Sequence, residues 1–212
     1  MPWPFRTSVC RCLIIAGTLL AALIGIAALG SSIGIPALPE PLAELDQRLP
    51  GIFKIHMMTS GLALILLPWI LVLRHRATPH RLLGRLGGGL LLIGTAASIP
   101  SALYSDAVPL ARLGFFTQGV LCLLFLAGAV RAIRARNIQR HAELMLRVSA
   151  LVLGAVVLRL FMALSMQCGL TFDPAYAVAA WLSWVLPLGT VWLWPTYENW
   201  RSNRFVSMLR QA

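Results

Sequence analysis

The residues able to do chemistry in this chain are few, and most are histidine or arginine. His80 opens the stretch Thr78-Pro79-His80-Arg81-Leu82-Leu83-Gly84-Arg85, and His141 opens His141-Ala142-Glu143-Leu144-Met145-Leu146-Arg147. Each stands where a polar segment gives way to an apolar one. Two imidazoles at one depth on separate helices meet the requirement for axial ligation of a haem iron. Arg81, Arg85, Arg140 and Arg147 lie within a turn or two of them and suit the propionates of such a cofactor. The competing reading makes both histidines interfacial residues beside lipid phosphates. His75, between Arg74 and Arg76, reads as a loop residue.

A second group lies inside otherwise apolar stretches. Arg159 falls about 16 Å from one end of its stretch at helical rise, too deep for easy snorkelling. A central arginine costs about 2.5–3.5 kcal/mol on insertion scales, so it is expected to face protein and find acceptors. Gln118, Ser98, Thr95 and Ser60 are at comparable depth, as are helix carbonyls or an anionic ligand. His56, with Lys54 just above it, is expected near the depth of Gln118, Tyr104 and Ser101. These residues outline a polar membrane pocket of His56, Gln118 and Tyr104 with Arg159 as its floor.

Other chemistries lack their residues. GxSxG, HExxH and the P-loop pattern are missing, and acidic residues keep out of the apolar stretches except at Glu143. Hydrolases of the usual kinds and carboxylate-relay transporters are therefore disfavoured. Cys10, Cys12, Cys122 and Cys168 make neither a CxxC pair nor a metal-ligand spacing, so no metal site is expected. Cys10-Arg11-Cys12 precedes an apolar run, where a lipid anchor is conceivable.

Helices have to position all of these side chains. Of 212 residues, 58% are hydrophobic and 12% charged, and mean hydropathy is +0.79. A soluble domain carries about twice that charged fraction, and a disordered chain far less apolar side chain. The composition predicts an all-α polytopic membrane helix bundle, a single domain with about six spans. Those spans read as roughly 12–30, 52–73, 86–105, 113–133, 148–168 and 176–195, each near the 20 apolar residues that cross a bilayer. The first is read as an uncleaved helix, not a signal peptide.

The net charge of +11 comes from 18 basic and 7 acidic residues, all but one of the basic ones arginine. Fourteen fall on one side of the predicted bundle: Arg6 and Arg11, the clusters 74–85 and 131–147, and Arg201, Arg204 and Arg210. Three, Arg48, Lys54 and Arg112, fall on the other, where Glu40, Glu44, Asp46, Asp106 and Asp173 also lie. The positive-inside rule then puts both termini in the cytoplasm, with a bacterial inner membrane as the expected location. No aromatic-basic platform accompanies the charge, so a nucleic-acid partner is excluded.

Between the first two spans, Leu42 to Leu49 reads as a short amphipathic helix. Trp181, Trp184, Trp192, Trp194, Tyr197 and Trp200 crowd the last span and its exit as interfacial anchors. The tail from Trp200 reads as a separate basic interfacial helix. Gly84 and Gly88 make a GxxxG step within the run Gly84, Gly87, Gly88, Gly89 and Gly94. Close helix packing is expected there, with room for a flat cofactor as the alternative.

The blocks His80-Arg81-x-x-Gly84-Arg85 and His141-x-x-x-Met145-x-Arg147, with Arg159 twelve residues further on and His56 in an earlier span, resemble a family of predicted bacterial membrane proteins, domain of unknown function 2306. The likeness covers about residues 52–165. It implies a multi-span bundle with polar residues at these positions and names no reaction. The family commonly carries a basic and an aromatic residue in the second block, where this chain has Ala142 and Leu144. A likeness to membrane cytochromes holding b-type haem is one of architecture alone.

Three functions compete on the sequence. The first is a redox protein holding one haem b, or reacting with quinone, through His80 and His141. The second is a carrier or binding protein that meets a small ligand at Arg159. The third is a non-catalytic accessory subunit.

Overall fold

A helix satisfies its backbone polar groups internally, which is what an apolar chain without access to water requires. The computed structural model accordingly holds only helices and their connections among the described residues, which are 8–35, 38 and 40–209, with side chains placed for 15–35, 38 and 42–193. Arg6 and Arg210 lie outside that range, as do the side chains of Cys10, Arg11, Cys12, Trp194, Tyr197, Trp200, Arg201 and Arg204.

The helices are α1 (Ser8–Ser32), α2 (Glu40–Arg48), α3 (Ile52–Val72), α4 (Ala77–Leu103), α5 (Pro109–Arg134), α6 (Ile138–Gln167) and α7 (Phe172–Leu209). All but α2 are long and apolar enough to cross a membrane. α4 and α6 begin well before the expected 86 and 148, because the arginine- and histidine-bearing segments there are helical too. The tail is not a separate helix. α7 runs unbroken to Leu209, about 57 Å at 1.5 Å per residue, far more than a hydrocarbon core of about 30 Å.

The connections are short and chemically marked. Asn137 caps α6, its side chain accepting from the Arg140 amide at 2.9 Å. Pro109 opens α5 at a position where a missing N–H costs nothing. Gly169, at φ 75°, ends α6 in the left-handed conformation that glycine adopts without strain. Tight turns at 73–76 and 135–137 make antiparallel hairpins of α3 with α4 and of α5 with α6. Both arginine clusters, 74–85 and 131–147, therefore share one end of the bundle.

α3 packs on α4, α4 on α5 and α5 on α6, while α6 meets α3 through only a few residues, closing a four-helix ring. α1 lies against α3, and α7 covers α6 and α5. Ala63, Leu91, Cys122, Leu126, Val148 and Leu151 fill the middle, with Trp184 and Leu188 from α7. The outer surface is apolar as well: Leu23, Leu92, Leu124 and Leu186 are each more than half exposed. Water would not tolerate so broad an apolar surface on a monomer.

Two pairs of glycines do the close packing. A Cβ on Gly25 would come 2.7 Å from the Gly61 carbonyl oxygen, and one on Gly61 would come 2.8 Å from that of Gly25, so α1 and α3 cross there. On α4, Gly87 and Gly94 press against Ile70 and against Thr59 and Ser60 of α3. The expected GxxxG step does not pack. A Cβ on Gly84 or Gly88 would meet nothing within 4 Å, because the α3-facing side of α4 passes through positions 87 and 94 instead.

Candidate functional site

His80 and His141 occupy equivalent places in the two hairpins, each the fourth residue of its helix. The His80 Nδ1 lies 3.1 Å from the carbonyl oxygen of Ile70 on α3, and the His141 Nδ1 3.0 Å from that of Ala129 on α5. A carbonyl only accepts, so Nδ1 carries the proton in both rings and the Nε2 lone pair is left free. Each imidazole thus ties its helix to the preceding one.

His80 shares a line of α4 with Leu91 and Thr95, which are buried, by the helical spacing of three and four residues. His141 shares a line of α6 with Met145, Val148 and Val152; Val148 is buried, and the other two pack on the central cluster. α4 and α6 do not adjoin in the ring, α5 standing between them on one side and α3 on the other, and each imidazole bonds to the helix before its own. The open space at Gly84 and Gly88 follows His80 at i+4 and i+8.

The arginines near this end divide. Arg81 and Arg85 are exposed, and the Arg81 Nε donates to the Ala77 carbonyl at 3.2 Å. Arg147 reaches toward α5, with its guanidinium carbon 5.8 Å from the centre of the Phe125 ring. There it lines a cavity of about 550 Å³ between α5 and α6, with Arg131 and Arg140 at the rim and Leu124, Phe125 and Gly128 along the wall. Neither histidine lines that cavity. The sequence offered Arg140 and Arg147 as propionate partners and Arg131 as part of an arginine cluster. Their spacing gave no sign of a shared cavity, because α5 and α6 contribute to it from opposite sides of a turn.

The second polar group lies in the half of the bundle away from the arginine clusters. The His56 Nδ1 donates to the Gly94 carbonyl of α4 at 2.8 Å, with the Ser60 hydroxyl 3.3 Å from the same nitrogen. The Gln118 Nε2 donates to the Leu151 carbonyl of α6 at 2.9 Å. Arg159 reaches none of the side chains expected for it. Its Nη1 donates to the Ala155 carbonyl of its own helix at 2.9 Å, and the residue is exposed.

Arg159 stands eighteen residues beyond His141, five helical turns along the same line of α6. It is within electrostatic reach of His56 and of Tyr176 on α7. Tyr176 is stacked on Phe172 and tilted against Phe115, with ring centres 5.1 and 5.3 Å away; sequence reasoning had named a different tyrosine. Tyr104 instead stands 61% exposed just past α4, with its amide on the Pro100 carbonyl. Depth counting favoured Tyr104, whereas Tyr176 comes from the far side of a turn that depth alone does not orient.

Chemically, the two ends differ. Among the described residues no group of three or more His, Cys, Asp and Glu side chains could hold a metal ion. At the arginine-rich end each imidazole is held through Nδ1 by a helix carbonyl. The Arg159 end offers donors to a polar or anionic group.

The sequence model of the family described as a predicted membrane protein (DUF2306) matches residues 53–194, from α3 into α7. No curated protein and no solved structure matches the chain.

Proposed function

Because the chain belongs to DUF2306, a family of predicted membrane proteins defined by no reaction, we propose from its own residues that it is a membrane redox protein holding one b-type haem between His80 and His141. A bacterial inner membrane with both termini in the cytoplasm is the setting of this reading. The observation that carries it is the pair of Nδ1–carbonyl bonds, 3.1 Å at His80 and 3.0 Å at His141, made from the same position of α4 and α6. Histidines that ligate a metal commonly donate their other ring N–H to a backbone carbonyl, which fixes the tautomer and aims the ligating nitrogen. The glycines beside His80 leave space that any other residue would occupy. Arg81 and Arg85 are the propionate partners of this reading; Arg147, against Phe125, is not needed. When bound, the haem would carry one electron at a time.

An absorption spectrum of the purified protein, expressed with haem supplied in excess, tests this directly. A Soret band is expected, lost in His80→Ala and in His141→Ala and retained in His75→Ala. A colourless wild-type protein overturns the proposal and leaves the two rings as clamps of their hairpins.

Arg159 favours a second reading, a small-ligand site. It is exposed, bonded to one carbonyl of its own helix, with His56 and Tyr176 in electrostatic reach. A quinone carbonyl or a small anion has the acceptors such a guanidinium lacks. Binding or uptake of that solute should fail in Arg159→Leu and weaken in Arg159→Lys, which keeps the charge and loses the planar fork. Equal binding in all three proteins removes this reading and leaves the haem proposal untouched.

A further inference from the structure

The cavity between α5 and α6 at the arginine-rich end takes no part in either reading above. Its wall is apolar, from Leu124, Phe125 and Gly128, and its rim holds Arg131, Arg140 and Arg147. It is a shallow groove of about 550 Å³, open along the bundle surface and not enclosed. Of the three guanidiniums, Arg140 is paired with Glu143 at 3.2 Å. No carboxylate among the described residues lies within ion-pair distance of Arg131 or Arg147, which leaves two positive charges on one small concavity.

Their depths differ in an informative way. Arg131 and Arg140 flank the turn that joins the helices, whereas Arg147 lies seven residues further along α6 than Arg140, about 10 Å deeper at helical rise. Around it the surface is one that lipid would cover: Leu124 is 62% exposed and Leu146 47%. A cation at that depth on such a surface is stabilised by an anion that arrives through the lipid.

We infer that this cavity binds the headgroup of an anionic phospholipid, with its phosphate held by Arg131 and Arg147 and its acyl chain lying along Leu124 and Phe125. A free phosphate shares the headgroup's charge but has nothing to place on the apolar wall. The Arg147–Phe125 contact, 5.8 Å from guanidinium carbon to ring centre, holds the arginine in position over that wall. Gly128 lets α6 approach closely at the floor of the groove, since a Cβ there would come 3.2 Å from the Leu144 Cδ1.

The test uses the full chain in neutral detergent, titrated in parallel with phosphatidylglycerol, with phosphatidylcholine of the same acyl chains, and with inorganic phosphate. Retained lipid is read by native mass spectrometry and unfolding temperature by light scattering. Phosphatidylglycerol is expected to bind at least tenfold more tightly than phosphatidylcholine and to raise the unfolding temperature, with phosphate ineffective. Arg147→Gln should abolish that preference. Arg131→Gln, at the exposed rim, should weaken it and serves if the deeper variant does not fold. Arg76→Gln, at the same end but away from the cavity, should leave it unchanged. Equal stabilisation by phosphate overturns the lipid assignment, and so does a lipid preference that survives both cavity variants. Neither result bears on haem, because neither histidine lines this cavity.

Discussion

His56, Gln118, His80 and His141 have one habit in common. Each donates to a backbone carbonyl of a neighbouring helix, those of Gly94, Leu151, Ile70 and Ala129, in preference to another polar side chain. Such bonds are modest in strength, because the carbonyl already serves its own helix; inter-helix bonds in membranes average about 0.6 kcal/mol. Gln118→Leu should therefore change stability by less than about 1 kcal/mol, measured by reversible unfolding in mixed micelles. A loss above about 2 kcal/mol would mean that Gln118 belongs to a connected network with His56 and Arg159. The polar exceptions themselves were legible in the sequence, since each interrupts an apolar run. Their partners were not. Every helix presents carbonyls at all depths, and no residue type marks the one that is used.

At the scale of elements, the same contrast separates number from contact. Apolar length alone predicted six long helices, but helical period shows which residues share a face and not which face meets a neighbour. Gly84 and Gly88 fit the small-residue pattern, yet a Cβ on either would meet nothing within 4 Å, while Gly25, which follows Gly17 and Ala21 at four-residue steps, meets Gly61 and brings α1 and α3 together. A side chain at Gly61 would meet the Gly25 carbonyl at 2.8 Å, an obstacle that is backbone and cannot rotate aside. Gly61→Ala should then cost about 1–3 kcal/mol, the range for overpacking, and lower the thermal midpoint in detergent. Gly17→Ala on α1, where a Cβ meets nothing within 4 Å, should leave it unchanged or raise it slightly, since alanine favours helix over glycine by about 1 kcal/mol. Equal effects of the two substitutions would show that α1 does not rest on α3 at this crossing.

For the whole molecule, charge makes a statement that packing alone does not. The bundle gathers the turns 73–76 and 135–137 at one end, so the arginines from 74 to 85 and from 131 to 147 lie together. At the other end the pairs Arg48–Asp106 at 2.5 Å and Lys54–Asp46 at 3.0 Å nearly cancel the few basic residues present. Arginine in short loops resists translocation, whereas neutralised loops cross readily. The arginine-rich end should accordingly face the cytoplasm. Reporter fusions in a bacterial inner membrane read this out. Alkaline phosphatase fused after Asp106 should be active, and after Arg136 inactive, while a fluorescent protein that matures only in the cytoplasm should glow when joined after Ala212. The reversed pattern would place the histidine pair and the α5–α6 cavity at the outer face. It would also take the anionic leaflet, whose surface potential attracts basic groups by about 1 kcal/mol each, away from Arg131 and Arg147. Orientation and the lipid assignment are thus physically linked, and the fusion after Arg136 is the measurement on which both bear.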